Sequence, residues 1–292
     1  WAAILDYSPA ALEAWRRETG YAEAPKSRQD PHWAEWKTFQ RRHFEDYVGR
    51  WVDAVHAARP GVQLASNWLY TTFTPQPVRV KVDFLSGDYD PSMSVDRARI
   101  EARYLASTGM PWDLMAWGFL HGHDGFAPNL KPAAHLQQEA GVVLMQGGGV
   151  QIYYQPTRAG HLCETIVETA GQVADFCRAR QKVSHRSRSV PQVALVFSTA
   201  ATLDRSDALG QLNGTYGEMV GALHGLLESH YSVDILAEHQ LAPRLDDYPL
   251  VVLPDFDRFD EKLLKALPEY VQRGGRLLLM GPKCARLFAP LL

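Results

Sequence analysis

The stretch WDLMAWGFLHGHDGFAPNLKPAAHLQQEAGVVLMQGGGVQIYY, residues 112–154, decides the fold class. Its apolar run at residues 113–119 has the length and composition of a buried β-strand. Residues 132–146 carry a helical pattern that ends at three consecutive glycines, and residues 150–154 form a second apolar run. A strand, a helix and another strand in this order indicate a parallel β/α unit.

The same alternation continues on both sides of this unit. Strands are predicted at residues 62–67 and 78–85, and helices at residues 10–18, 31–59, 95–107 and 165–180. Together these segments make four β/α units in roughly the first 180 residues, whereas a closed (β/α)8 barrel needs eight units over about 250 residues. The count alone leaves two interpretations open, half of a barrel and an open doubly wound sheet.

A second α/β domain is predicted further along the chain. Residues 181–191 are polar and basic and end in a proline, which indicates a solvated linker. Beyond them, strands are predicted at residues 193–197, 233–236, 250–254 and 276–280, with helices at residues 219–227 and 261–271. This alternation predicts a doubly wound sheet.

Composition excludes several classes of protein. The chain has 292 residues, 46% of them hydrophobic, and a net charge of −3, so it offers no general attraction for nucleic acid or anionic membranes. It contains neither an apolar run of membrane-spanning length nor a signal peptide at its start. The three cysteines are widely spaced and fit neither a disulfide framework nor a zinc site. We therefore expect a reducing, cytoplasmic location, with export left open because the chain begins at Trp1.

Side chains at the predicted strand ends combine aromatic rings with hydrogen-bonding groups. In parallel β/α folds ligands bind at these carboxyl ends, where the loops converge. Sugars favour such mixtures because their C–H faces pack on aromatic rings while their hydroxyls need amide, carboxylate or imidazole partners. The candidate substrate-binding residues are Asn67, Trp68, Tyr70, Trp117, His121, His123 and Tyr154. The sequence has no phosphate-binding loop, dinucleotide fingerprint or serine-hydrolase elbow, so we expect a carbohydrate ligand and no cofactor.

Asp88 and Asp90 are the candidate catalytic carboxyl groups, because hydrolysis of a glycoside takes a general acid and a nucleophile or base. If the second strand continues through them, both side chains point to one side and their repulsion raises the pKa of one. The alternative is that Asp90-Pro91 begins a turn while Asp88 caps backbone amides. Asp83, within the apolar run, is a candidate buried orienting group.

The remaining charged groups are predicted to have other roles. Three are interpreted as structural or surface groups, namely Glu101 and Glu139 inside helices and Lys131 before a proline. His121, His123 and Asp124 have the residue types of metal ligands. No further ligand stands at a useful spacing, so no metal site is predicted.

Several segments resemble a group of hypothetical glycosyl hydrolases related to α-L-fucosidases. They are WAA at residues 1–3, DYSP at 6–9, WRRETG at 15–20, ASNW at 65–68, DFLSGDY at 83–89, PWDLMAWGF at 111–119, QGGGVQ at 146–151 and YYQP at 153–156. The resemblance implies that residues 1–183 form the second half of a (β/α)8 TIM-type barrel. Trp112, within the longest of these segments, joins the candidate substrate-binding residues.

Residues 190–292 resemble a different family, the β-galactosidase trimerisation domain, an amidotransferase-like module with a flavodoxin-like fold. The resemblance implies a linker at residues 184–191, an incomplete second domain at residues 192–292 and a homo-oligomer, either trimer or dimer. An amidotransferase would also need a reactive cysteine with a histidine partner. Cys284 lies near the corresponding turn, but no histidine follows it, so a structural cysteine is expected.

The first resemblance implies a retaining, exo-acting α-L-fucosidase that releases L-fucose from glycans. In that family the nucleophile is an aspartate at the end of the fourth barrel strand, which by this alignment lies before Trp1. The resemblance therefore implies a truncated chain that is inactive alone, and the nearest carboxylate, Asp6, falls in the following loop. Two alternatives stay open, a β-galactosidase of the trimerising type and a non-catalytic carbohydrate-binding or assembly protein.

Overall fold

The structure, a computed structural model, describes residues 2–121, 128–211 and 217–289. The strands are β1 (Ala2–Ala3), β2 (Leu85–Asp88), β3 (Trp112–Trp117), β4 (Phe119–His121), β5 (Pro128–Leu130), β6 (Gly149–Tyr153), β7 (Val193–Phe197), β8 (Gly210–Gln211), β9 (Val233–Ala237), β10 (Leu250–Leu253) and β11 (Arg276–Leu279). The α-helices are α1 (Pro9–Thr19), α2 (Trp33–Ala58), α3 (Ser94–Ala106), α4 (Ala133–Met145), α5 (Glu164–Ser184), α6 (Thr199–Arg205), α7 (Gly217–Glu228), α8 (Glu238–Leu241), α9 (Glu261–Gln272) and α10 (Pro282–Phe288).

Helix boundaries follow local capping chemistry. Helix α1 begins after Ser8, whose hydroxyl accepts from the Ala11 N–H, and ends at Gly20 in the left-handed conformation. Helix α2 begins two residues later than predicted. The Asp30 carboxylate accepts from the N–H groups of Lys26 and Ser27, so it stabilises the preceding loop instead of capping the helix.

The first sheet has the order β2-β3-β6, and all its strands are parallel. The predicted strand at residues 62–67 is reduced to one bridge between Asn67 and Ser86. The prediction of a strand at residues 78–85 was wrong, since β2 begins only at Leu85. The N–H groups of Arg79 and Val80 bind the Tyr70 hydroxyl, and these hydrogen bonds replace the ladder that a strand would need.

Alternate residues of this sheet point to opposite faces. One face is apolar and packs with α3 and α4 into the core, through Leu85, Leu114, Ala116, Val150 and Ile152. The opposite face, called here the inner face, carries Ser86, Asp88, Asp113, Met115, Trp117, Gln151 and Tyr153. Polar and aromatic side chains are thus gathered on a single side of the sheet.

A second parallel sheet has the order β9-β7-β10-β11. Its strands lie within one residue of their predicted positions, and all of β7 and β9 is buried. Near-continuous apolar runs of this kind are typical of parallel strands covered on both faces. Helix α9 begins after Asp260, whose carboxylate accepts from the Lys262 N–H, as its sequence predicts.

One hydrophobic core joins the two sheets. Helix α3 packs against both β3 and β9, and the buried Arg103 donates from Nε to the Val233 carbonyl at 3.1 Å. The predicted linker at residues 181–191 is shorter than expected, because α5 continues to Ser184. No helix in the described part of the chain is both long enough and apolar enough to span a bilayer.

Candidate carbohydrate site

Asp88 is the last residue of β2 and lies on the inner face, 6% exposed. Its Oδ2 accepts a hydrogen bond from the Trp117 indole N–H at 2.9 Å. Burial raises the pKa of Asp88 above its ordinary value, the hydrogen bond from Trp117 lowers it, and the carboxylate of Asp113 raises it. The Asn67 amide is close enough to lower this pKa too, yet no hydrogen bond of regular geometry reaches Oδ1, which has no partner among the described residues.

Three aromatic rings surround the end of β3. Trp117 lies 5.5 Å from Phe119 and 5.4 Å from Tyr153 between ring centroids, and Phe119 and Tyr153 are also 5.5 Å apart. Phe119 is buried, whereas Trp117 and Tyr153 are half-buried. The aromatic partner from β6 is therefore Tyr153 and not the predicted Tyr154. Two half-buried rings beside a carboxyl group can hold the C–H face of a sugar.

The turn after Asn67 is held in a strained conformation. Asn67 is exposed next to β2, and Trp68 has a φ of 70°, a left-handed value that is rare outside glycine. Hydroxyls of Thr71 and Thr74 donate to the Trp68 carbonyl at 2.8 and 2.6 Å. The Trp68 ring packs 5.0 Å from Phe73. Strain of this kind persists only where the surroundings impose it, and it is enriched at binding sites.

Helix α3 holds the turn after Asn67 in place through Glu101. Glu101 is 4% exposed and accepts hydrogen bonds from the hydroxyl and the N–H of Thr72. Its position agrees with the structural role that its place inside a helix predicts. On the other side, Asp83 accepts from the Leu64 N–H at 2.7 Å and from His56 at 2.9 Å, so it orients the segment that leads to Asn67.

Asp113 and Gln151 are inner-face residues that were missing from the predicted site. The Gln151 side-chain amide donates to Asp113 Oδ2 at 2.7 Å, while Asp113 Oδ1 is buried without a partner in the described residues. The signal that could have identified Asp113 is the period of two in β3, which places it on the same face as Trp117.

Several predicted site residues lie elsewhere. Asp90 is not part of β2; its carboxylate caps the 3-10 helix Pro91–Met93 by accepting from the N–H and hydroxyl of Ser92. Asp90 therefore begins a turn, as the alternative interpretation of Asp90-Pro91 predicted. The carboxylate that raises the pKa of Asp88 is Asp113. Tyr70 is 1% exposed and its hydroxyl is occupied by backbone N–H groups, so a substrate cannot reach it.

Two further candidates lie on the opposite face of the sheet. Trp112 and Tyr154 both pack against the hydrophobic core. The Trp112 ring lies against Gly148, and the Tyr154 ring lies against Gly118. The period of two separates Trp112 from Asp113 and Tyr154 from Tyr153. The side chain of His121, together with His123 and Asp124, lies outside the described residues.

A buried ion pair lies directly behind Asp88. Lys131 was predicted at the surface, but its side chain is 1% exposed and its Nζ is 2.7 Å from Glu139 Oε1. The Tyr89 hydroxyl donates to Glu139 Oε2 at 2.9 Å, and His135 lies 3.3 Å from Oε1. Burial and the Glu139 charge raise the pKa of Tyr89. Because Tyr89 follows Asp88 in sequence, this network fixes the end of β2.

Two other groups bear on the predicted chemistry. Among the described residues no group of three or more histidine, cysteine, aspartate or glutamate side chains could hold a metal ion. Cys284 is buried on α10, and burial raises the pKa of its thiol to about 11. A thiol that stays protonated at neutral pH is a poor nucleophile, as expected for a structural cysteine.

The fold is similar to that of several solved glycosidase structures. No protein-family model and no curated protein matches the chain, but many solved structures do. The resemblance to α-L-fucosidases and β-galactosidases predicted from the sequence is confirmed at the level of the structure.

Three of these structures illustrate the likeness. α-L-Fucosidase isoenzyme 2 from Paenibacillus thiaminolyticus has a TM-score of 0.68 at 20% identity, over 94% of this chain and 39% of its own. A β-galactosidase from Rahnella sp. R3 has a TM-score of 0.66 at 18% identity, over 92% of this chain and 45% of its own. A catalytic mutant of a GH42 β-galactosidase from G. stearothermophilus gives 0.65 at 16%, over 92% and 46%. The chain thus spans less than half the length of these structures.

Proposed function

We propose that this chain is the part of a glycoside hydrolase that binds the sugar on its inner face, with Asp88 as the proton donor. The observation that carries the proposal is the environment of Asp88, a buried carboxyl group of raised pKa beside two half-buried rings. A raised pKa keeps a carboxyl group protonated closer to neutral pH, which general acid catalysis requires.

The proposed chemistry is that of a retaining exo-glycosidase. Asp88 would donate its proton to the glycosidic oxygen as the bond to the anomeric carbon breaks, and a carboxylate nucleophile would take the sugar. Water would then break the bond between the sugar and the nucleophile, while the Asp88 carboxylate accepts a proton from this water. The α-L-fucosidase resemblance assigns the nucleophile to a position outside residues 1–292, so we expect the chain alone to bind sugar without turnover.

The best-supported substrate is an α-L-fucoside. Support comes from the sequence segments that resemble α-L-fucosidase relatives and from the likeness to a solved α-L-fucosidase. A β-galactoside has comparable structural support, because β-galactosidases of similar TM-score share the fold. Binding without hydrolysis is the third candidate, since among the described residues the inner face has one carboxyl group, Asp88, at the carboxyl end of its strand.

The test is hydrolysis of 4-nitrophenyl glycosides by the full gene product that carries this sequence. We expect release from the α-L-fucoside, and Asp88→Asn should lower kcat by about 100-fold or more. Asp53→Asn, an isosteric change of an exposed carboxylate on α2, serves as the control. Release from the β-D-galactoside alone would transfer the assignment to the second candidate. Sugar binding without any release would support the third.

We also propose that residues 192–292 form an assembly domain with a flavodoxin-like fold, joined to residues 1–183 through residues 184–191. In chain order the second sheet is arranged 2-1-3-4, which matches the first four strands of the flavodoxin-like order. The proposed assembly is a homo-oligomer, trimer or dimer. Light scattering on the full gene product measures its mass, and a monomeric mass at working concentration would contradict this assignment.

A further inference from the structure

We propose that Asp113, held by Gln151, is a positioning residue whose negative charge keeps Asp88 in its protonated, proton-donating form. The inference rests on the proposed function, since it assigns a second residue to the same site. It replaces the pairing of Asp88 with Asp90 that the sequence predicted.

Strand register makes Asp88 and Asp113 diagonal neighbours. Asp88 pairs with Met115 and Ser86 pairs with Asp113, so the two aspartates lie on adjacent strands, two residues out of register, with side chains on one face. The strand spacing and the rise per residue put their Cα atoms roughly 8 Å apart. Two charges at such a separation interact appreciably inside a protein, where the effective dielectric constant is well below that of water.

The environments of the two carboxyl groups favour one proton on Asp88. Trp117 donates a hydrogen bond to Asp88, and Gln151 donates one to Asp113. Each carboxyl group also has one buried oxygen without a partner among the described residues, so ionising both at once would leave two uncompensated acceptors. Asp88 is more deeply buried than Asp113, and burial penalises the charged form of Asp88.

Other groups that pack around Asp88 add little net charge. Behind it, Tyr89 bonds to Glu139, whose charge is compensated by Lys131 at 2.7 Å. Strand β6 presents the neutral side chains of Gln151 and Tyr153, and the preceding turn presents Asn67. Asp113 is thus the uncompensated charge that faces Asp88 within the described part of the chain.

The experiment follows the protonation of Asp88 directly, by infrared difference spectroscopy on the full gene product. The C=O stretch of the protonated carboxyl group is titrated with pH, and it is assigned to Asp88 by its loss in Asp88→Asn. In Asp113→Asn the amide still accepts from Gln151 but the charge is gone, so the midpoint should fall by about one pH unit. Asp113→Glu keeps the charge and should restore the midpoint, while Asp53→Asn should leave it unchanged.

A folded Asp113→Asn protein with an unshifted Asp88 midpoint would overturn the inference. If Asp113→Asn does not fold, Asp113→Ser removes the same charge with a smaller group and is titrated instead. The alkaline limb of the pH–kcat profile should move to lower pH together with the infrared midpoint. A merely structural role of Asp113 would not cause this shift. A shifted midpoint without turnover of any glycoside would overturn the proposed function alone, since the infrared measurement needs no catalysis.

Discussion

Lys131 and Glu139 show how a residue's chemistry depends on what surrounds it. The sequence predicts a surface lysine and a glutamate inside a helix, but the structure pairs them at 2.7 Å with side chains 1% and 0% exposed. The backbone N–H of Lys131 donates to the Gly118 carbonyl, and this hydrogen bond places the lysine beneath the site. A buried pair of this kind adds little stability over an apolar pair, because the cost of desolvating both charges offsets their attraction.

Removing one partner of this pair should be costly. Glu139→Gln leaves Lys131 buried without a countercharge, and we expect a loss of about 3–5 kcal/mol in the free energy of unfolding, measured in urea. Replacing both partners, as in the double variant Lys131→Met with Glu139→Leu, should recover much of that loss. If the double variant were as unstable as the single one, the uncompensated charge would not be the cause.

The raised pKa of Asp88 also predicts how stability depends on pH. The folded chain holds the Asp88 proton more tightly than the unfolded chain does, so this group lowers stability as pH rises from the unfolded pKa through the folded one. Asp88→Asn should therefore gain stability relative to the wild type as pH increases from about 4 to 8. Melting temperatures across this range measure the difference, and a constant difference would contradict the raised pKa.

At the scale of elements, a single lysine fixes α2 against α6. Lys37 is 3% exposed, and its Nζ donates to the carbonyls of Leu203, Asp204 and Ser206 at 2.7, 3.0 and 2.8 Å. Leu203 and Asp204 lie in the last turn of α6 and Ser206 follows it, where carbonyls lack partners within the helix. A cation at a helix carboxyl terminus also interacts favourably with the helix dipole.

Loss of this lysine should loosen the contact between the two helices. Lys37→Met keeps the length of the side chain but removes the donors, and we expect a cost of about 1–3 kcal/mol in urea unfolding. Lys262→Met, at an exposed position on α9, is the matched control and should be nearly neutral. Equal effects of the two changes would mean that the three hydrogen bonds contribute nothing.

The end of α4 depends on glycine. Gly147 has a φ of +84°, and a Cβ there would lie 2.4 Å from the Ser187 carbonyl oxygen. Gly147→Ala should cost at least about 1 kcal/mol, because neither the backbone conformation nor the space accommodates a methyl group. Gly171→Ala, inside α5 with nothing within 4 Å, should instead stabilise the chain. Thermal unfolding of both variants tests the opposite signs.

At the scale of the whole molecule, the two sheets share one core. Helix α3 contacts both sheets, and the Tyr104 ring packs edge-on against Phe197 of β7 at 5.3 Å. Arg103 adds a buried hydrogen bond to β9. A continuous core predicts cooperative unfolding of the two parts, even though the sequence suggests two domains with a linker between them.

Tryptophan fluorescence offers a direct test of this cooperativity. All eight tryptophans lie within residues 1–117, so fluorescence reports on the first part of the chain and far-ultraviolet circular dichroism reports on both. We expect the two urea transitions to coincide in the wild type. Arg103→Met removes the buried hydrogen bond between α3 and β9, and it should separate the two transitions. Separate transitions in the wild type would show that the shared core does not make unfolding cooperative.

Much of the secondary structure could be predicted because its signals are local. Ser8 and Gly20 bound α1, Asp260 begins α9, and the apolar run at residues 193–197 is β7. The strand predicted at residues 78–85 failed because the Tyr70 hydroxyl, distant from any local signal, binds the backbone there. Local propensity cannot register a hydrogen bond supplied by another segment.

The sequence by itself determined the α/β class of the fold, the alternation of the main parallel strands with helices, and the choice of Asp88 and Trp117 as neighbours at strand ends. Only the tertiary structure decided that Asp113 and Tyr153 face them while Trp112, Tyr154 and Asp90 do not. The physical reason is that side-chain direction in a strand reverses at every residue, so one position of register moves a ring from the site to the core. Register is set by the packing of neighbouring strands, which no single segment specifies.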